Sequence, residues 1–456
     1  MKSTIIISVL LTAFVCGAAD EQGTDVKALY DAHQWFLLRA AVESTKATAF
    51  YRGAVACVFN DLSNAEPELN KVIASAPQSE EAFESHALLT NAYIRAGRYR
   101  QALAQLEKML AIKSEDAGTK DALPLFAALG RYTDQVVTHR HSSTLRYKMK
   151  DGNLFLPIAV NEKPASYIVD TGANFSALSA GEARRLGLTI HGVTATGSDS
   201  AGGKVLAHLA VADKLTVGEF QLTNVAFLVL PEDRQPFVDL APGERGVLGL
   251  PVLLALETLR WSTDGRFEIG FPSQPEIAGG SNLCFEGMTP VAEAGFQQSK
   301  LNLVVDTGAT TTALWPAFAK DFASVVYQSG KKGSQKVTGV AGSAKVETIT
   351  LPKLTFRLGG IDTILRPARI QLEPTASESQ WFHGRLGLDL LSKNHRVTLD
   401  FHNLTLVLEY PGFSASRRNF ERSSFTWDSA AFFMMCYLPV LAFRAARGTN
   451  PSRHPH

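Results

Sequence analysis

The sequence predicts two kinds of structure in one chain of 456 residues: α-helical repeats first, then a duplicated all-β region. Three observations carry this. From about Lys46 to Val137 the chain is rich in Ala and Leu, with apolar residues every three or four positions, the mark of amphipathic helices. After about Arg140 the pattern changes to short alternating runs broken by Gly, Pro and Asn, such as LFLPIAV, KLTVGEFQL, TITLPKLTFRL and RVTLDFHNLTLVLEY. Within that β region two landmarks recur in the same order. YIVDTGANFSAL (Tyr167–Leu178) and LVVDTGATTTAL (Leu303–Leu314) agree at seven of twelve positions, and GVLGLPVLL (from Gly246) is echoed by GRLGLDLLS (from Gly384). The offsets are 136 residues (Asp170 to Asp306) and 138 (Gly246 to Gly384), so the region reads as an internal duplication.

The elements divide the chain as follows. Lys2, the apolar run Ile5–Val15 and the small residues Gly17, Ala18 and Ala19 read as a secretory signal peptide over 1–19, which implies a secreted or periplasmic protein. Residues 25–140 form the helical part. Its clearest unit is NAYIRAGRYRQALAQLEKML, where Ala92, Tyr93, Gly97, Tyr99, Ala102 and Leu106 stand at the spacings of a tetratricopeptide repeat, which it resembles. Gly53, Ala65, Leu69, Val72 and Pro77 fit the same template more loosely, and GRY recurs at Gly130–Tyr132. Two repeats and a fragment are few, so a cap packed on the next domain competes with a groove offered to a protein partner.

The β region splits near PSQPEIAGGSN (Pro272–Asn282) into a first lobe, 143–272, and a second, 283–410. Residues 411–456 are a basic tail with a short apolar segment. Ser429–Phe443 is fifteen residues, roughly 22 Å as a helix against a hydrocarbon core of about 30 Å, and Pro439 interrupts it. A C-terminal membrane anchor is therefore the weaker reading beside a surface helix or tail.

Composition excludes more than it selects. With 45 Lys and Arg against 44 acids the formal net charge is +1, no footprint for nucleic acid. Cys57, Cys284 and Cys436 make no disulfide framework and read as packing residues. His139 and His141 lack a third ligand nearby, and no HExxH, GxSxG or phosphate-cradling loop occurs, so neither metal nor cofactor is expected.

A lone Asp-Thr-Gly after an apolar strand is as well explained by a turn-initiating Asp. Two copies in a duplicated frame point elsewhere. Two carboxylates forced within about 3 Å cannot both ionise, so one becomes a base and the other an acid, the pair needed to hydrolyse an amide with water. Gly172 and Gly308 suit the tight turns that would aim them.

On these motifs the chain resembles the aspartic peptidases, and among them the retropepsin-like group, over about Leu145 to Tyr410. The resemblance implies a two-lobed acid-protease fold fused in one polypeptide, with Asp170 and Asp306 as the catalytic pair and Thr171 and Thr307 cross-bonding the active-site loops. It implies that Ala173 and Ala309 complete those loops, and that Gly249 and Gly387 lie behind them where a side chain would collide. It further implies glycine-rich flaps closing on an extended polypeptide substrate. TGSDSAGGKV, with Gly202 and Gly203, and TGVAGSAKV, with Gly339 and Gly342, are the candidates. A binding module that holds peptides or an envelope protein without cleaving them is the competing class, and pairing of lobes between two molecules a third.

Two departures stand out. Arg385 occupies an apolar position of the second landmark, where the first has Val247, so the second lobe is expected to be more loosely supported there or the Arg to reach solvent. Ala173 and Ala309 replace the hydroxyl residues of pepsin-like enzymes, and losing a donor to the charged form raises a carboxyl pKa. The activity optimum is therefore expected at mildly acidic to neutral pH; a profile peaking below about pH 3 would contradict this.

Overall fold

A computed structural model describes residues 25–198, 204–272, 280–339, 342–374, 381–393 and 396–410. The signal-peptide and C-terminal-segment expectations, Cys436, and Gly202 and Gly203 lie outside these residues. No described helix is long and apolar enough to cross a membrane.

Helices run Val26–Asp31, Trp35–Ser44, Ala49–Val58, Leu62–Ser75, Glu80–Arg95, Tyr99–Ile112 and Ala117–Leu129. Consecutive helices pack together because small residues face one another. A methyl on Gly53 would lie 2.6 Å from the side chain of Leu69, and Ala92 and Ala102 are buried. Gly97, at φ +70°, makes the left-handed turn that ends Glu80–Arg95. Twelve of that helix's sixteen residues are buried, so it is enclosed on nearly all sides rather than presenting an open face.

The helices form a layer against both lobes. Arg95, itself buried, donates to Gly287 O of the second lobe and to Cys57 O (2.5 Å) and Asn60 Oδ1 (3.0 Å) of the helices, and lies over the Phe285 ring. Trp35 Nε1 donates to Glu286 (2.7 Å). On the first lobe, Phe175 lies between Tyr99 and Phe126, ring centres 5.9 and 6.1 Å away. The span read as helical ends differently. Val136–His139 is an edge strand paired to Phe220–Leu230, because a run of Val-Val-Thr fits a pleated edge better than a helix end.

Each lobe is built on one mixed sheet. In the first, Lys163–Val169 runs parallel to Gly246–Leu248 (Ile168 opposite Val247), which pairs antiparallel with Ser176–Ser179. In the second, Ser299–Val305 runs parallel to Gly384–Leu386 (Val304 opposite Arg385), which pairs antiparallel with Ala313–Leu314. The Asp-Thr-Gly loop of each lobe thus crosses from one side of an inserted strand to the other. A third sheet joins the lobes: Thr258–Ser262 of the first pairs along its whole length with Arg396–Asp400 of the second. Cys57 and Cys284 are free and buried.

Candidate active site

The two loops meet across the lobe boundary. Asp170 N donates to Leu248 O and Asp306 N to Leu386 O, both at 3.1 Å, so each acid begins where its strand leaves the sheet. Thr171 N donates to Thr307 Oγ1 and Thr307 N to Thr171 Oγ1, each 3.0 Å. The hydroxyls in turn donate to Val305 O (2.7 Å) and Val169 O (2.8 Å). Both amide N–H groups and both hydroxyls of this crossed pair are engaged, which fixes one loop against the other.

Within each loop the carboxylate is held from behind. Asp170 Oδ1 accepts from Gly172 N (2.8 Å) and Ala173 N (3.1 Å); Asp306 Oδ1 accepts from Gly308 N and Ala309 N, both 3.0 Å. The opposing acids are so close that neither glycine can carry a side chain. A Cβ on Gly172 would lie 2.8 Å from Asp306 Cγ, and one on Gly308 would strike the carboxyl of Asp170. Behind the turns, a Cβ on Gly249 would overlap the backbone of Phe175, and one on Gly387 would sit 2.6 Å from Thr311 C. Two hydroxyls that the sequence reading did not single out pin those glycines: Gly249 N donates to Ser176 Oγ (3.0 Å) and Gly387 N to Thr312 Oγ1 (2.9 Å). Their signal was a hydroxyl six residues after each Asp.

Both acids are fully buried, and burial pushes both carboxyls above the usual range. Asp170 rises furthest, since after burial the charge of Asp306 adds to the effect, opposed by the N–H groups of Gly172 and Ala173. For Asp306 the guanidinium of Arg385 and the N–H groups of Ala309 and Gly308 pull the other way. Here the structure corrects the sequence expectation. Arg385 does not reach solvent; it is 4% exposed, on a strand buried on both faces, with Nη1 3.5 Å from Asp306 Oδ2.

The flap candidates are hairpins. Lys331–Gly339 pairs with Gly342–Leu351, Gly339 opposite Gly342, while His191–Ser198 pairs with Lys204–Val217 in the first lobe. His139 and His141 are exposed, and among the described residues no cluster of three or more His, Cys, Asp or Glu is arranged to hold a metal.

A family model described as aspartyl protease matches residues 156–252, which include Asp170 and Gly249. The chain is helical over 26–129 and β-rich beyond, and the match falls in the first β lobe. Among solved structures, the chain is similar to a retropepsin-like aspartic protease from Rickettsia conorii at 17% identity, covering 30% of this chain and 94% of that one with a TM-score of 0.21. It is also similar to edgp at 11% identity, covering 58% and 94%, with a TM-score of 0.31. No curated protein matches the chain. The family match stops within the first lobe; the second is tied to it by the repeated loop and the repeated strand crossing.

Proposed function

We propose that this protein is an aspartic endopeptidase in which Asp170 and Asp306 activate water against a peptide bond. The observation that carries this is the convergence of two buried carboxylates from equivalent loops, each so near the other that it would meet a methyl on the opposite glycine. Charges at that distance cannot coexist in a buried site, so the working state carries one proton between them. The ionised acid takes a proton from water while the protonated one gives its proton to the carbonyl oxygen, leaving a tetrahedral diol. On collapse, the first acid passes its proton to the departing nitrogen and the second recovers one from a diol hydroxyl, so neither acid is changed by the cycle. Thr171, Thr307 and the loop N–H groups hold the acids in place, so that little reorganisation accompanies the proton transfers.

The substrate on this reading is a polypeptide in extended form, lying between the flap hairpins and the dyad and bonded to them as an added strand. The raised carboxyls support an optimum at mildly acidic to neutral pH. Because the lobes share a sheet within one chain and both acids come from that chain, the working unit is a single molecule.

A peptide-library digest from about pH 3 to 8, comparing wild type with Asp170→Asn and Asp306→Asn, tests the proposal. Cleavage by wild type and its loss, by about 10³-fold or more, in each variant is expected. Peptides retained but never cut by wild type would instead make this a binding module.

A further inference from the structure

The loop bonds of the two acids match between the lobes, but the strand between each pair of neighbours does not. Where the first lobe has Val247, against Ile168 and Ala177, the second has Arg385, against Val304 and Ala313. We infer that Arg385 is a positioning residue that makes the two acids unequal: it holds the negative charge on Asp306, so Asp306 takes the proton from water and Asp170 donates to the carbonyl. This rests on the endopeptidase reading and adds a direction to it.

Three features support the assignment. First, the contact is on the oxygen that the loop leaves open. Asp306 Oδ1 is occupied by Gly308 N and Ala309 N, and Arg385 lies against Oδ2. The residue after each catalytic glycine is Ala, so no hydroxyl reaches the second oxygen from the loop itself. Second, the matching oxygen of the other acid, Asp170 Oδ2, is buried and has no donor among the described residues. A carboxyl oxygen so placed is where a proton facing Asp306 is accommodated. Third, the distance suits the role. Tight charge-assisted bonds run about 2.7–2.9 Å and would make Asp306 a poor base. At 3.5 Å the guanidinium favours the anion while leaving the oxygen able to accept a proton.

Other ionisable groups on the flanking elements are engaged elsewhere. Asp389 Oδ1 is held by Thr312 N and Oγ1. His383 accepts from Asn302 N and faces Asp321. Arg245, before the matching strand of the first lobe, bonds Leu240 O and Glu232. The pull of Arg385 on the Asp306 carboxyl runs in the same direction as the assignment.

The test is the pH profile of kcat/KM for wild type, Arg385→Val, Arg385→Gln and Arg385→Lys. Val copies the first lobe; Gln keeps a polar stem without charge should Val fail to fold. Loss of the charge is expected to move the acidic limb, which reports ionisation of the base, upward by about 1–3 pH units, and Lys to restore it to within about 1 unit. Acidic limbs that stay put in Val and Gln, with only overall activity reduced, would overturn the assignment and leave Arg385 a structural residue. A second readout separates this from the peptidase reading itself. Carboxyl resonances of 13C-aspartate protein, assigned through Asp170→Asn and Asp306→Asn, should show Asp306 ionising before Asp170 in wild type and that order narrowing or reversing in Arg385→Gln. This holds whether or not any peptide is cut; a wild-type dyad in which Asp170 ionises first sinks it.

Discussion

The two lobes offer the same loop to the same site and support it in different ways. In the first, Phe175 is pressed between Tyr99 and Phe126 of the helical layer, and Gln135 Nε2 donates to Pro251 O behind the turn (3.0 Å). At the equivalent positions the second lobe has Thr311, half-buried, and Asp389, whose carboxylate takes Thr312 N (2.8 Å) and Oγ1 (2.7 Å). One loop is braced from outside by helices, the other from within by its own acid. The helical layer thus reaches the first lobe's loop itself, while it meets the second lobe at the turn around Gly287 and through a core in which Trp35 and Leu38 join Val291, Val304 and Phe382, none of them on the loop. Duplication preserves the geometry that the dyad needs; what lies behind each copy is free to diverge.

The contrast is broken most strongly at Phe175. Truncating a fully buried aromatic typically costs about 3–5 kcal/mol, so Phe175→Ala should lower the unfolding midpoint markedly. Thr311→Ala removes a half-buried side chain and should change stability by about 1 kcal/mol or less. Chemical unfolding of both variants measures the difference; equal losses would mean that the helices do not brace the first loop.

A smaller and symmetric effect is expected at the crossed threonines, where the lobes are true equivalents. Thr171→Val leaves Thr307 N and Val305 O without partners, and Thr307→Val leaves Thr171 N and Val169 O. Each variant should cost about 1–3 kcal/mol, and the double variant less than the sum of the two because both break one network. The same unfolding series reads this; a cost confined to one of the two would show that the grip is not shared.

Much of this arrangement is legible in the sequence. The repeated Asp-Thr-Gly-Ala and the apolar-Leu-Gly landmarks mark positions where a backbone turn and a close approach leave little choice of residue, and such constraints write themselves into sequence. The expectation for Arg385 fails for a definite reason. On a strand of a half-exposed sheet a charge points to water, but Gly384–Leu386 is buried on both faces, so its odd residue turns toward the buried carboxylate of Asp306. Phe175 and the pairing of Thr258–Ser262 with Arg396–Asp400 were illegible because both depend on partners far along the chain, and nothing in local spacing announces them. The strand at Val136–His139 hides in the sequence because the Ala- and Leu-rich composition runs a few residues past the last helix.

The smallest effect expected is also the one that separates the two acids by stability alone. A carboxyl whose pKa is raised by folding stabilises the protein while it is protonated, and that contribution is lost as the pH rises through the raised value. Asp170 is raised furthest, by burial and then by the charge of Asp306, whereas Arg385 offsets part of the rise at Asp306. Asparagine mimics the protonated acid at every pH. Relative to wild type, Asp170→Asn should therefore match it below the usual carboxylate range of about pH 4 and gain stability steadily above. Asp306→Asn should gain less, since it also removes the anion beside Arg385. Thermal midpoints of the three proteins across about pH 3 to 8 decide this. Parallel curves for Asp170→Asn and wild type would mean that Asp170 carries no extra proton in the fold, and with it the two lobes would be electrostatically alike.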